Sequence, residues 1–217
     1  MSWTTRAWTI AFCLWAIPTH AAVLDPWAFT SLGTLNASDT ISINTDTLQL
    51  TGGASYTGVL DPVSGASIFA FDNITGTNLS IYGTRTLGLL STGNIAFIGM
   101  IDLLGTGGLD IGAGNALAMK NFSALGSGGD IQLHAGQITI SGSINWANRS
   151  LSITSPGDIV VPGGAGLVPA PGGPLPVIGP GGVITVAPVP LPAAAPLFAA
   201  GIAALALLKR GTHKRRK

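Results

Sequence analysis

The sequence predicts an all-β protein: a parallel β-helix or solenoid body, followed by a flexible Pro/Gly linker and a single C-terminal transmembrane helix. Three observations point to the β body. Every acidic residue is Asp and none is Glu, and there are 31 glycines among 217 residues. Asp and Gly favour turns and caps over helix interiors. From about Leu35 to Val161 short segments alternate apolar and small polar residues, as in 40–43 (TISI), 78–81 (NLSI), 108–111 (GLDI), 137–140 (QITI) and 150–153 (SLSI). A period of two puts the Ile, Leu and Val side chains on one face of each strand. Finally, strand pairs centred near 88 and 96, 110 and 118, 132 and 139, and 152 and 160 recur every ~20–22 residues, the size of one solenoid coil. A β-sandwich is the alternative, because its strands also recur at intervals of about 8–12 residues.

The first element, 1–21, reads as a signal peptide. Arg6 precedes an apolar stretch, 7–17, which is followed by Pro18 and the small residues Ala21 and Ala22. That order suits export and cleavage after Ala21. The stretch of about 11 residues is short of the ~20 that a membrane-spanning helix needs. Cys13, the one cysteine, lies inside this leader behind bulky Phe12. The mature chain is therefore expected to have no disulfide and no lipid-modified cysteine.

The second element, 22–161, is the β-helix-like body. Its bases are Arg85, Lys120 and Arg149, set against nine aspartates, which leaves a net charge of −6. Such a balance disfavours nucleic acid as a partner. The third element, 162–188, is read as a linker. Between Pro162 and Pro190 sixteen of twenty-nine residues are Pro or Gly, a composition expected to be extended and unable to build a sheet ladder. Only the run 183–186 offers a further strand.

The fourth element, 189–217, carries the strongest signal. Val189, Pro190, Leu191, Pro192 and Ala193 precede an apolar stretch, 194–208. After it come the bases Lys209, Arg210, Lys214, Arg215, Arg216 and Lys217. The apolar run with Leu191 is about 18 residues, which at about 1.5 Å rise per residue approaches the hydrocarbon thickness. The six bases should stay in the cytoplasm, which leaves the body outside. Motif, helix and basic end resemble the PEP-CTERM class of sorting signals in its VPLPA variant, without the usual Pro-Glu-Pro core. The resemblance implies an exosortase-type membrane transpeptidase and the membrane as partners, with Val189 to Ala193 as the recognition motif. A plain single-pass tail anchor is the alternative. The body repeats, 129–144 above all, are weakly similar to those of filamentous haemagglutinin-type adhesins.

Little in the body suggests catalysis. There is no phosphate-binding loop, no zinc-ligand spacing and no nucleophile elbow. His134 falls out of phase with the apolar positions and reads as solvent-facing. Asp102 with Asp110, or Asp130 with Asp158, would bind calcium if they stacked on neighbouring coils, but turn roles explain them as well. Five Asn-x-Ser/Thr sequences, at Asn36, Asn73, Asn78, Asn121 and Asn148, are expected by chance in such a composition. The chain is thus expected to be no enzyme and to need no cofactor or metal. It is expected to be an exported structural or adhesive protein, held at the inner membrane and released to the surface or matrix, with exopolysaccharide as a further partner. The alternative is a carbohydrate-active enzyme, a lyase or hydrolase, on the same scaffold.

Overall fold

The computed structural model describes residues 23–161, 166–168, 177–178 and 184–186. The signal peptide with Ala21 and Ala22, the motif Val189 to Ala193, the apolar stretch and the basic tail all lie outside them. Among the described residues no helix is long and apolar enough to cross a membrane, and the one helical element is the short 3₁₀ turn Pro26–Ala28.

The body is all-β and built of stacked parallel strands. This rules for the solenoid against the sandwich, whose sheets are antiparallel. Ile74 lies opposite Ile95, Ile95 opposite Leu117, Leu117 opposite Ile138 and Ile138 opposite Ile159, an advance of about 21 or 22 residues per coil, as expected for a solenoid repeat. Each coil has three faces. The first is built from Ser67–Phe71, Leu87–Ser91, 109–113, 131–134, Leu151–Thr154 and Val177–Ile178. The second runs through 34–37, 73–76, 95–97, 116–119, 137–140, Ile159–Val161 and Ile184–Val186. The third runs through 40–44, 78–82, 100–103, 121–124, Ser143–Asn145 and Gly166–Val168.

Two strands per coil were expected, and the third face corrects that. It is joined to the second by one or two bent residues, so 109–124 reads as one continuous strand, Leu109–Ala124. Register shifts at 37/40, 76/79 and 97/100 mark the bend. The inward columns are continuous: Leu87, Leu109, Ile131 and Leu151 on the first face, and Ile41, Leu79, Ile101, Phe122 and Ile144 on the third, all buried. Identical stacking at every coil lets a unit too small for its own core bury its apolar face against the next.

Three of the five Asn-x-Ser/Thr asparagines have structural work at the corners. The main-chain N–H of Asn94, Met100 and Ser143 donates to Oδ1 of Asn73, Asn78 and Asn121, at 3.0, 2.8 and 3.1 Å. Each bond ties one coil to the next where the strand ladder is interrupted.

The stretch expected to be incapable of a ladder contributes one. Gly166–Val168, Val177–Ile178 and Ile184–Val186 pair in parallel with Ser143–Asn145, Leu151–Thr154 and Ile159–Val161.

The N-terminal end of the stack is covered by the insertion 45–66. Gln49–Thr51 pairs antiparallel with the first strand of the third face, and Tyr56–Thr57 pairs with Gln49–Thr51. Val59–Leu60 pairs antiparallel with Ser67–Phe71. Leu50 is buried in the core and Tyr56 meets Phe71 edge to face, ring centroids 5.2 Å apart. The insertion buries Leu50 against the core of the first coil and pairs with 42–44 of its open edge, a template for strand addition.

Candidate functional site

A half-buried strand pattern was expected throughout, but on the first face Ser67–Phe71 and Leu87–Ser91 are buried on both sides. The outer side is covered by a strap, residues 23–32. Leu24 and Phe29 pack on Ala66, Ile68, Ala70 and Leu90. The strap is tied at its ends, with Leu24 N–H donating to Asp110 Oδ2 at 2.9 Å and Leu32 N–H to the Ala70 carbonyl at 2.8 Å. Two outward-facing glycines make room for it. A Cβ at Gly88 would lie 2.7 Å from Leu24 Cδ1, which would have to shift, and one at Gly114 would lie 2.8 Å from Trp27 Cη2 and meet the Thr92 main-chain carbonyl as well.

Where the strap ends, the first face opens into a groove of about 440 Å³. Asp110 and Gln132 line it from adjacent coils, directly opposite each other, and Asp130 stands two residues before Gln132 on the same strand line. Asp61 and Ser64, from the insertion, and Thr86 complete the polar lining, while Leu24, Val63, Ala66 and Leu109 supply apolar wall. Asp110 is 4% exposed and Gln132 7%. A carboxylate so deep needs compensation. Asp110 Oδ2 has it from Leu24 N–H, whereas Oδ1 accepts no hydrogen bond and faces His134 Nε2 at 2.8 Å, at ion-pair distance but without hydrogen-bond alignment.

His134 is out of phase with the core, as expected, but it is not solvent-facing. Its side chain is 13% exposed and lies over Gly112, where a Cβ would collide with the ring. The aspartate pairs proposed for calcium do not stack. Asp102 lies on the third face opposite Ser80 and Ser123, while Asp110 lies on the first opposite Gly88 and Gln132. Asp130 precedes a first-face strand and Asp158 a second-face strand, at different corners. What the register brings together instead is Asp110, Asp130 and Asp61, from three separate parts of the chain.

The body's bases stay out of the groove. Arg85 reaches the Asp46 carbonyl, at 3.3 Å, and Lys120 is exposed at the bend between second and third faces. Arg149 is 1% exposed and holds the corner between third and first faces. It donates to the carbonyls of Gly105 and Gly107 at 2.6 Å, and of Leu125 and Gly129 at 3.2 and 3.4 Å. Burial pushes its pKa below the ordinary arginine value.

Two exposed carboxylates are held below their ordinary pKa. At Asp46 the largest cause is the hydrogen bond from Thr84 N–H, followed by that from the Thr84 hydroxyl, and at Asp61 it is the Ser64 hydroxyl, followed by main-chain N–H groups of Ser64 and Val63. A depressed folded-state pKa stabilises above the unfolded value, and that stability is lost as pH falls through the folded value. Melting temperature is thus expected to fall on acidification below about pH 4. Asp46→Asn should lessen the fall, and an identical pH profile for the variant would contradict the assignment.

Comparison with family models, with curated proteins and with solved structures yields no match.

Proposed function

We propose that this chain is an exported surface or extracellular-matrix protein with a structural and adhesive role, sorted and anchored through its C-terminal segment. The observation that carries the reading is the order Val189 to Ala193, then the apolar stretch, then Lys209 to Lys217, together with an N-terminal segment, 1–21, that reads as an export leader. An exosortase-type transpeptidase would act near Pro192, first holding the body outside the inner membrane and then transferring it to the surface or matrix. The body supports the reading by its form. On its third face Ser42, Ser80, Asp102, Ser123 and Asn145 align on successive strands, a column of hydroxyl, amide and carboxyl groups suited to many weak polar contacts.

Intact-mass analysis of membrane and released fractions from the native host tests this. Loss of the segment after about Pro192, on a chain beginning at Ala22, is the expected result. An uncut tail in the membrane fraction would make it a plain single-pass anchor. Unchanged location after deletion of 189–217 would refute the sorting role.

The groove favours a second reading, a polysaccharide hydrolase or lyase. Asp110 and Asp130 line one cavity on neighbouring strands, with His134 against Asp110. Two carboxylates flanking a glycosidic bond suffice for acid–base hydrolysis. Release of new reducing ends from a polysaccharide, abolished in Asp130→Asn, would establish it.

A further inference from the structure

We infer that the outer side of the first face is a docking site for residues 23–32 of a second copy of this chain, so that two chains join by exchanging straps. This goes beyond the surface-protein reading and does not depend on how the tail is processed.

The occupant is known, because the strap itself is seated on this face, and the face is shaped for it. Leu24 stands over Gly88, the Trp27 ring covers Gly114, and Leu24 and Phe29 pack on the cluster of Ala66, Ile68, Ala70 and Leu90. The strap brings its own form to that seat. Asp25 caps the turn Pro26–Ala28, its carboxylate accepting from Trp27 N–H at 3.0 Å and its carbonyl from Ala28 N–H at 3.1 Å. A segment ordered by its own bonds gives up less freedom on docking than a disordered one.

The strap joins the stack through Gly33, which has φ +96° and open space where a Cβ would stand, so it can absorb a large change of chain direction. The partners of the strap, Asp110, Ala70 and the apolar cluster, all lie beyond that hinge. A second copy therefore offers the same contacts, and an exchanged pair is self-complementary. Surface left at the flanks of the strap favours the pair over the single chain. Val59, 61% exposed, adjoins Phe29 at a cavity of about 230 Å³, and Val63, 93% exposed, adjoins Leu24 at the groove of about 440 Å³. Two bodies drawn together by the exchange would cover these side chains and the exposed Trp27, offsetting part of the entropy lost on association. Each body carries −6, so the encounter is opposed when salt does not screen it.

Disulfide trapping in the full chain in detergent, at about 0.15 M salt and in a Cys13→Ser background, tests the inference. A Cβ at Gly88 would lie 2.7 Å from Leu24 Cδ1, which is two bonds from its own Cβ, so Leu24→Cys and Gly88→Cys come within disulfide reach when a strap is seated. The new side chain at Gly88 meets only the ends of the Leu24 and Ile68 side chains, so the sheet is spared. The double variant should close the bond within one chain. Differently tagged single variants, once mixed, should give a covalent mixed dimer whose yield rises with protein concentration. That yield should exceed about tenfold the yield of Leu24→Cys mixed with Leu125→Cys, an exposed site that meets the strap only by collision, because docking raises the effective concentration of the two thiols. Closure in the double variant with mixed dimer only at the collision level would make the strap a fixed cover of its own chain and overturn the exchange. Failure of closure in the double variant would overturn the seating on which the exchange rests. Neither result bears on tail processing, so the sorting reading stands or falls by its own mass analysis.

Discussion

Replacing Arg149 by Met is expected to lower the free energy of unfolding by about 3–5 kcal/mol, the range seen when one member of a buried charged network is removed. The guanidinium donates to four carbonyls, of Gly105, Gly107, Leu125 and Gly129, drawn from two successive corners of the stack, while Arg149 itself stands in the next. Those corners are rich in glycine and carry no strand ladder; main-chain bonds such as Thr106 N–H to the Gly83 carbonyl and Gly129 N–H to the Thr106 carbonyl link neighbouring corners, and the guanidinium adds a tie that spans two coils at once. Methionine fills part of the volume but leaves the inward carbonyls without a donor. Lys should recover only part of the loss, since an ammonium lacks the planar fork that reaches several acceptors at once. Lys120→Met, at an exposed site, is the control, expected within about 0.5 kcal/mol of wild type. Urea unfolding followed by circular dichroism measures all three, and equal midpoints for Arg149→Met and wild type would show that the corner does not depend on the clamp.

Removing the strap is expected to have the second largest effect. A chain beginning at Gly33 exposes Ile68, Ala70 and Leu90 and loses the contacts of Leu24 and Phe29. Burial of one large aliphatic or aromatic side chain contributes about 1.5–3 kcal/mol, so a loss of about 2–4 kcal/mol is expected when several are partly uncovered. The uncovered outer side of the first face is also a contiguous apolar patch of the kind that drives association. Light scattering should therefore report oligomers or aggregate, and thermal melting a lower midpoint. A monomer of unchanged midpoint would show that the strap stabilises nothing. The point variant Leu24→Asp repeats the test without shortening the chain and places a charge beside Asp110, to which the strap is tied.

The two predictions differ in how visible their residues are in the sequence. Leu24 and Phe29 stand in a short segment with no alternation, and nothing local marks them as the cover of a sheet. Arg149 lies in a turn, where an arginine ordinarily faces water. Its partners are 20 to 44 residues away, one to two coils back, and they are main-chain carbonyls, which leave no mark on sequence. His134 shows the limit of phase arguments. Being out of phase with Leu133 correctly placed it on the outer side, but whether the outer side meets water depended on what else lay there. The aspartates show the same limit, because spacing along the chain does not say which corner of a coil a residue occupies.

The all-β class and a coil-sized recurrence of about 20–22 residues were legible in the sequence alone, which left a β-sandwich open until the parallel stacking decided for the solenoid. They follow from local period-two alternation and from the recurrence of Ile and Leu at coil spacing, both short-range properties of the chain. Only the tertiary structure decided that each coil has three faces, that 45–66 covers one end, and that 23–32 covers the outer side of the first face. It likewise decided that Asp61, Asp110 and Asp130 share one groove. Each of these depends on register between segments far apart in sequence, and register is set when the inward columns stack and one coil's corners settle against the next.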